Sequence, residues 1–213
     1  MDLLTVVFDL LVHLDKHLLA LAHDYGGWIY LLLFLIIFLE TGLVVTPFLP
    51  GDSLLFVAGT LAGAGALNVH VLVAMLCLAA VIGDSLNYAV GRWIGPRVFR
   101  YEDSWLFKRA YLERTHRYFE RFGGRTIIVA RFVPIVRTYA PFVAGIGAMD
   151  YRRFLLFNVT GALFWVALIA YAGYLFGNVP LVKDNLTFVI LAIILVSTSP
   201  AIIEFVRYRL RRA

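Results

Sequence analysis

The chain alternates long apolar segments with short polar ones. The apolar segments cover residues 28–48, 53–67, 69–94, 126–149, 154–176 and 186–206. An α-helix of about 20 apolar residues crosses the roughly 30 Å hydrocarbon core of a bilayer, because each residue adds about 1.5 Å. The pattern therefore predicts an all-α polytopic membrane protein in which residues 69–94, 154–176 and 186–206 are transmembrane helices.

Prolines interrupt two of the apolar regions. The prolines are Pro47 and Pro50 in the first region and Pro134 and Pro141 in the second. Proline removes a backbone donor and disfavours helix at the residue before it, so neither region is predicted to be one continuous helix. Such backbone survives at membrane depth only where protein or a cavity surrounds it. We therefore predict two re-entrant hairpins, over residues 28–67 and 126–149, with bends near 47–52 and 134–141.

The two halves of the chain share an order of features. Each proline-containing bend is followed by the tetrapeptide Phe-Val-Ala-Gly, at residues 56–59 and 142–145. A spanning segment comes next in both halves, and each carries a late Gly-x-x-x-Gly pair, Gly91 with Gly95 and Gly173 with Gly177. This shared order predicts an internal repeat.

Composition and charge agree with a membrane protein and predict its orientation. The chain is 62% hydrophobic and only 15% charged, against about 25% charged in soluble domains. Between Arg92 and Arg125 nine Lys and Arg stand against four Asp and Glu, and the tail 207–213 is also basic. Basic loops are typically cytoplasmic, so we predict a cytoplasmic C-terminus and an outer loop at 178–185. The two hairpins then enter from opposite faces as inverted repeats, unless residues 28–46 span completely.

Two flanking segments are predicted to lie along the membrane surface. In residues 1–24, polar side chains recur at helical spacing opposite a leucine-rich face, which is typical of an interfacial amphipathic helix. In residues 97–125, aromatic side chains alternate with Lys and Arg. That composition could suggest a nucleic-acid surface, but it fits an amphipathic helix on anionic phospholipids better.

Four ionisable residues lie inside the predicted hairpins: Glu40, Asp52, Arg131 and Arg137. A mid-membrane Arg or Asp costs roughly 2.5–3.5 kcal/mol, so four facing lipid would cost on the order of 10–14 kcal/mol. They could form buried ion pairs that only hold the hairpins together, or lie close enough to an interface to reach water. Alternatively, they line a polar cavity where the hairpins meet.

The residue types in this set suit phosphate binding and proton transfer. Arginine stays charged, and its fork of donors matches the oxygens of a phosphate. A carboxylate near the arginines would change its proton occupancy when an anion occupies them. Arg131 and Arg137 are therefore candidate phosphate ligands, and Glu40 and Asp52 are candidate proton carriers.

Other chemistry-bearing residues give weaker signals. Asp84, Asn87, Tyr88 and Arg92 lie three or four residues apart on one helix face. Helix packing and an Arg reaching for headgroups explain them as well as a site does. The single Cys and five scattered His offer no metal site, and we expect neither metal nor cofactor. The chain has no phosphate-binding loop, nucleophile elbow or zinc-protease motif, which argues against an enzyme such as a lipid phosphatase.

Taken together, these motifs resemble the DedA family of bacterial inner-membrane proteins from about Gly26 to Arg209. The resemblance rests on Glu40, on Pro47-Phe-Leu-Pro-Gly-Asp52 and on Gly83-Asp84 with Tyr88, Gly91-Arg92 and Gly95. It rests further on Arg131-Phe-Val-Pro-Ile-Val-Arg-Thr138, and on Phe142–Met149 followed by Tyr151-Arg-Arg-Phe154. The resemblance implies functional acidic residues at Glu40 and Asp52 and functional arginines at Arg131 and Arg137.

The family resemblance also implies a function. Several members are expected to transport lipid-linked phosphates, above all to return undecaprenyl phosphate from the outer to the inner leaflet with the proton gradient. We therefore expect a non-enzymatic flippase in the bacterial cytoplasmic membrane, with a polyprenyl phosphate, membrane phospholipids and protons as partners and no nucleic acid. A phospholipid scramblase, a proton-coupled antiporter and a purely structural membrane protein are the alternatives.

Overall fold

The described part of the chain is helical. The structure is a computed structural model that describes residues 27–42, 51–95, 115–116, 119–183, 185, 188–189 and 191–193, and these ranges contain no strand. The helices are α1 (Trp28–Gly42), α2 (Gly51–Gly63), α3 (Val69–Ile94), α4 (Thr126–Ala130), α5 (Pro134–Ile146), α6 (Tyr151–Phe176) and α7 (Pro180–Lys183), with a 3-10 turn at Gly123–Arg125. The predicted all-α class is confirmed over these residues.

Helices α3 and α6 are long and apolar enough to cross a membrane. Each has 26 residues, or about 39 Å of helix. Asn68 Oδ1 accepts from the backbone N–H groups of His70 and Val71 and so caps α3. Asp150 Oδ1 accepts from the N–H of Arg153, and this cap explains why α6 begins three residues before the predicted residue 154.

The exposed faces of these two helices are apolar. Large side chains recur there at intervals of about four and seven residues: Leu78, Ile82 and Leu86 on α3, and Leu156, Leu163, Leu168 and Leu175 on α6. A soluble protein places polar side chains on such a face. The two apolar faces suit contact with lipid chains.

Helices α1 and α2 are apolar but short. They contain 15 and 13 residues, about 22 Å and 20 Å of helix, which is less than a bilayer core. Residues 43–50 lie outside the described part, so most of the first predicted bend lies there. The predictions for residues 1–24, for 97–114, for most of 186–206 and for the tail 207–213 also fall outside it.

The second proline-containing region breaks at a different place from the one predicted. The helical stretch α4 ends at Ala130, and α5 begins at Pro134. Val133 is extended because it precedes a proline, and Pro134 fits the first turn of α5, where no backbone donor is needed. The bend therefore lies at residues 131–133, directly before the predicted stretch 134–141, which is itself helical.

Helix α5 continues through Pro141. A proline inside a helix disturbs the backbone bonds of the preceding turn. In that turn the Thr138 carbonyl oxygen accepts a hydrogen bond from Asn87 Nδ2 of α3, at 2.9 Å. A side chain from a neighbouring helix thus supplies a donor where the proline disturbs the helix.

The described residues form two compact units. The first contains residues 27–36, 51–76 and the described residues from 166 onward. The second contains residues 37–42, 77–95, 115–116 and 119–165. Within the second unit, Tyr88 stacks on Phe154 with ring centroids 4.5 Å apart, next to buried Ile127 and Val136.

The two Phe-Val-Ala-Gly segments pack in the same way, each within its own unit. In the first unit, a Cβ on Gly173 would overlap the Phe56 carbonyl oxygen, and one on Gly59 would overlap the Ala170 carbonyl oxygen. In the second unit the corresponding pairs are Gly91 with the Phe142 carbonyl and Gly145 with the Tyr88 carbonyl. Glycine is required at all four positions because two helix backbones touch there.

Candidate functional site

Arg131 lies at the break between α4 and α5, in the second unit. It follows the last residue of α4, and only 3% of its surface is exposed. Its Nη2 atom donates to Asp84 Oδ2 of α3 at 2.5 Å and to Asn158 Oδ1 of α6 at 2.6 Å. The break in the helix therefore places a buried cation between α3 and α6.

Asn158 is held in a fixed orientation. Its Nδ2 donates to the Val81 carbonyl oxygen at 3.1 Å, so its side-chain oxygen is the atom turned towards Arg131. The sequence prediction missed Asn158. The available signal was that it is the only Asn in the apolar span 151–176, where an amide must find a partner.

Arg137 forms another ion pair in the described part of this unit. Its Nη2 lies 2.5 Å from Glu40 Oε1 of α1, and the two side chains are 13% and 2% exposed. Arg137 lies in the first turn of α5, whose backbone begins after the break at 131–133. Of the two arginines predicted as phosphate ligands, Arg131 is thus buried and Arg137 half-buried, and each is paired with a carboxylate in the second unit.

Trp165 brings the two arginines together. The Cζ atom of Arg131 lies 5.8 Å from the centre of the indole ring, and that of Arg137 lies 5.2 Å away. Trp165 is 1% exposed, and a guanidinium within about 6 Å of an indole is attracted by the ring's π electrons. One aromatic side chain therefore contacts two like charges, which the sequence did not indicate.

Some buried polar atoms near Trp165 and Thr138 have no hydrogen-bond partner among the described residues. Among them are Nε and Nη1 of Arg131 and Oδ1 of Asn87. Asn87 Nδ2 donates to the Thr138 carbonyl and, at 3.4 Å, to the Thr41 carbonyl. Buried donors without partners are costly, so the open N–H groups of Arg131 are suited to an anionic ligand.

The remaining predicted site residues lie in different settings. Asp84 of α3 is the partner of Arg131. Tyr88 OH donates to the Met149 carbonyl oxygen and accepts from Arg92, which joins α3 to the turn after α5. Asp52 is half-buried in the first turn of α2, in the first unit.

The second unit thus combines two cations and two carboxylates in neutral pairs, with buried donors left over. No group of three His, Cys, Asp or Glu side chains within the described ranges could hold a metal ion.

Comparison with known proteins identifies the family. Residues 49–175 match the model of the VTT domain, and the chain is 55% identical over 211 residues to Protein DedA of Escherichia coli K12, covering 98% of this chain and 96% of that protein. The chain belongs to the DedA family. The family resemblance noted in the sequence is therefore confirmed, and this family member is a membrane protein.

Other DedA-family relatives are also described as membrane proteins. An uncharacterized membrane protein of Mycobacterium tuberculosis H37Rv is 46% identical over 181 residues, covering 84% of this chain and 79% of that protein. Inner membrane protein YqjA of Escherichia coli K12 is 36% identical over 182 residues, covering 84% and 81%. No solved structure matches the chain.

Proposed function

We propose that this DedA-family protein moves a lipid-linked phosphate, with undecaprenyl phosphate as the leading candidate, across the bacterial cytoplasmic membrane. The observation that carries the proposal is the pair of arginines that share Trp165, of which the buried one, Arg131, has donors without a partner among the described residues. Guanidinium groups suit a phosphate head group. The isoprenoid chain would remain in lipid beside the apolar faces of α3 and α6.

Re-entrant hairpins and an inverted repeat are part of the proposal. The short lengths of α1 and α2, and the break before α5, suit segments that enter and leave the membrane on one side. The matched packing of Phe56 on Gly173 and of Phe142 on Gly91 supports two repeats of one design. In inverted repeats the substrate site forms near the middle of the membrane, which suits a buried Arg131.

Native mass spectrometry of gently purified protein tests the substrate class. The proposal expects a retained adduct with the mass of a polyprenyl monophosphate, because the head group would be held by two arginines. A retained phospholipid in its place would favour a scramblase, whose diester head group could use the same arginines. Protein free of any phosphate lipid would count against both.

The proposed topology leads to a labelling prediction. The excess of Lys and Arg in residues 92–125 and 207–213 favours a cytoplasmic C-terminus. In a Cys77→Ser background, a cysteine introduced at Ala213 should react with a membrane-impermeant maleimide only after the cells are opened, and one at Asn178 should react in intact cells. Labelling of Ala213→Cys in intact cells would overturn the topology and the inverted orientation of the repeats.

Coupling to protons leads to a second prediction, for Glu40→Gln and Asp52→Asn. If these carboxylates carry the coupling proton, the neutral variants should still bind lipid phosphate but should transport it at a rate independent of a pH gradient. A proteoliposome assay with and without the gradient measures this, beside a thermal melt. Stable variants that still respond fully to the gradient would exclude the two residues as proton carriers.

The thermal melt distinguishes proton transfer by Glu40 from a static role as the counter-ion of Arg137. Glu40 is buried against Arg137, and removing one partner of a buried ion pair costs roughly 3–5 kcal/mol. A strongly destabilised Glu40→Gln would therefore identify Glu40 as a structural counter-ion. Asp52 is half-buried in the other unit and serves as the comparison.

A further inference from the structure

The hydrogen bonds of Arg131 are unevenly distributed over its three nitrogen atoms. Nη2 donates to both Asp84 and Asn158, whereas Nε and Nη1 have no partner among the described residues. A buried guanidinium normally spreads its donors over several acceptors. Both side-chain acceptors therefore bind the same nitrogen, Nη2, while Nε and Nη1 have no acceptor among the described residues.

The shape of the guanidinium means that a phosphate can bind Arg131 through two oxygens only if one of them binds Nη2. The planar group has two edges that can hold two oxygens at once, one formed by Nε with Nη2 and the other by Nη1 with Nη2. Both edges include Nη2. Each of its two hydrogens already has an acceptor, so a phosphate that binds Arg131 with two oxygens must displace Asp84 or Asn158.

Charge decides which acceptor leaves. If Asn158 left, Arg131 would face two anions, Asp84 and the phosphate, in a buried place. If Asp84 left, one anion would replace another at Arg131, and the displaced carboxyl could take up a proton so that no second charge stays buried. Asn158 is also tied to the Val81 carbonyl of α3, so it can keep its place while Asp84 withdraws.

We propose that Asp84 occupies Arg131 as an internal anion and is displaced when the phosphate head group binds. This inference rests on the proposed function, since it assigns the phosphate to Arg131. Asp84 is then a residue that sets affinity and release: it competes with the substrate for Nη2 and returns when the substrate leaves. Asn158 is a positioning residue that keeps the guanidinium in place in both states.

Titration of purified protein with farnesyl phosphate, a short polyprenyl phosphate, tests this competition. Asp84→Asn replaces a charged acceptor by a neutral one of the same shape, and hydrogen bonds to charged groups are about twice as strong as neutral ones. The variant should therefore bind farnesyl phosphate about tenfold more tightly than wild type. A variant that binds with unchanged or weaker affinity would overturn the proposal, because removing a competitor for Nη2 must strengthen binding.

Asn158→Asp provides the opposite change on the same nitrogen atom. It adds a second competing carboxylate, so binding should be about tenfold weaker. The double variant Asp84→Asn/Asn158→Asp moves the single carboxylate to the other acceptor position and should return affinity to near the wild-type value. If Asp84→Asn does not fold, Asn158→Asp decides alone, and affinity equal to or above that of wild type would refute the competition.

The same titrations separate failure of this inference from failure of the proposed function. If wild-type protein does not bind farnesyl phosphate, the phosphate site itself is wrong and the inference falls with it. If wild type binds, Arg131→Ala does not, and Asp84→Asn shows no gain, the site stands and only the role of Asp84 is refuted. Inorganic phosphate should also bind Asp84→Asn more tightly than wild type, by the same factor. If only farnesyl phosphate bound more tightly, the gain would come from contacts of its lipid chain, and the proposed competition at Arg131 would be refuted.

Discussion

Arg131→Ala and Arg137→Ala should each abolish measurable binding of a polyprenyl phosphate while the protein remains inserted and folded. Each substitution removes one of the two cations that contact Trp165, and a charge-assisted bidentate contact is among the strongest that a phosphate can make. The partner left behind, Asp84 or Glu40, can take up a proton and become neutral, which limits the cost of losing the arginine. Isothermal titration with farnesyl phosphate in detergent measures the loss.

Matched variants show whether the loss of binding is specific to Arg131 and Arg137 or follows from removing any arginine. Arg152 is exposed at the start of α6, and Arg152→Ala should bind as wild type does. Arg131→Lys and Arg137→Lys keep the charge but lose the planar fork, so their affinity should fall between those of wild type and the alanine variants. If both alanine variants bound polyprenyl phosphate with wild-type affinity, the proposed anion site would be refuted.

Gly91→Ala and Gly173→Ala should strongly destabilise the protein. In both cases the added methyl group would overlap a backbone carbonyl oxygen of the facing helix, Phe142 for Gly91 and Phe56 for Gly173. Backbone atoms cannot rotate away, so the helices must separate. We expect a loss at or above the upper end of the usual range for overpacking, about 1–3 kcal/mol.

Thermal melts in detergent, followed by circular dichroism or by loss of the monodisperse elution peak, measure this effect. Gly27→Ala is the matched control, because a Cβ there would meet no atom within 4 Å. The two variants should lose similar amounts of stability if the two units use one packing design. A melting temperature unchanged from wild type for either variant would show that the close helix contact at that glycine is not present in solution.

The fold was predictable where a single pattern determines it. The apolar length of residues 69–94 led directly to α3, and the proline at 134 correctly excluded one continuous helix over 126–149. The position of the bend was not predictable from prolines alone. Pro134 is harmless in a first turn, and Pro141 lies in a turn that receives a donor from Asn87.

The candidate site was predictable in its residue types but not in its pairing. Arg131 and Arg137 stand out because charges are rare in apolar segments, and this needs no structure. Their partners depend on which helix faces meet, and so the link from Arg131 to Asp84 across 47 positions in the chain could not be derived from spacing. Asn158 and Trp165 are uncharged, and although the lone amide of Asn158 indicates a polar partner, neither residue's position in the sequence indicates that the partner is an arginine.

The central claim is that the protein moves a lipid phosphate across a bilayer by means of Arg131 and Arg137. Its most direct test is a proteoliposome assay that follows how fast a polyprenyl phosphate becomes protected from an added phosphatase as it leaves the outer leaflet. The account predicts that wild-type protein accelerates this protection, and more so with a pH gradient, whereas the double variant Arg131→Ala/Arg137→Ala matches protein-free liposomes. Wild-type protein no faster than empty liposomes, or a double variant as fast as wild type, would contradict it.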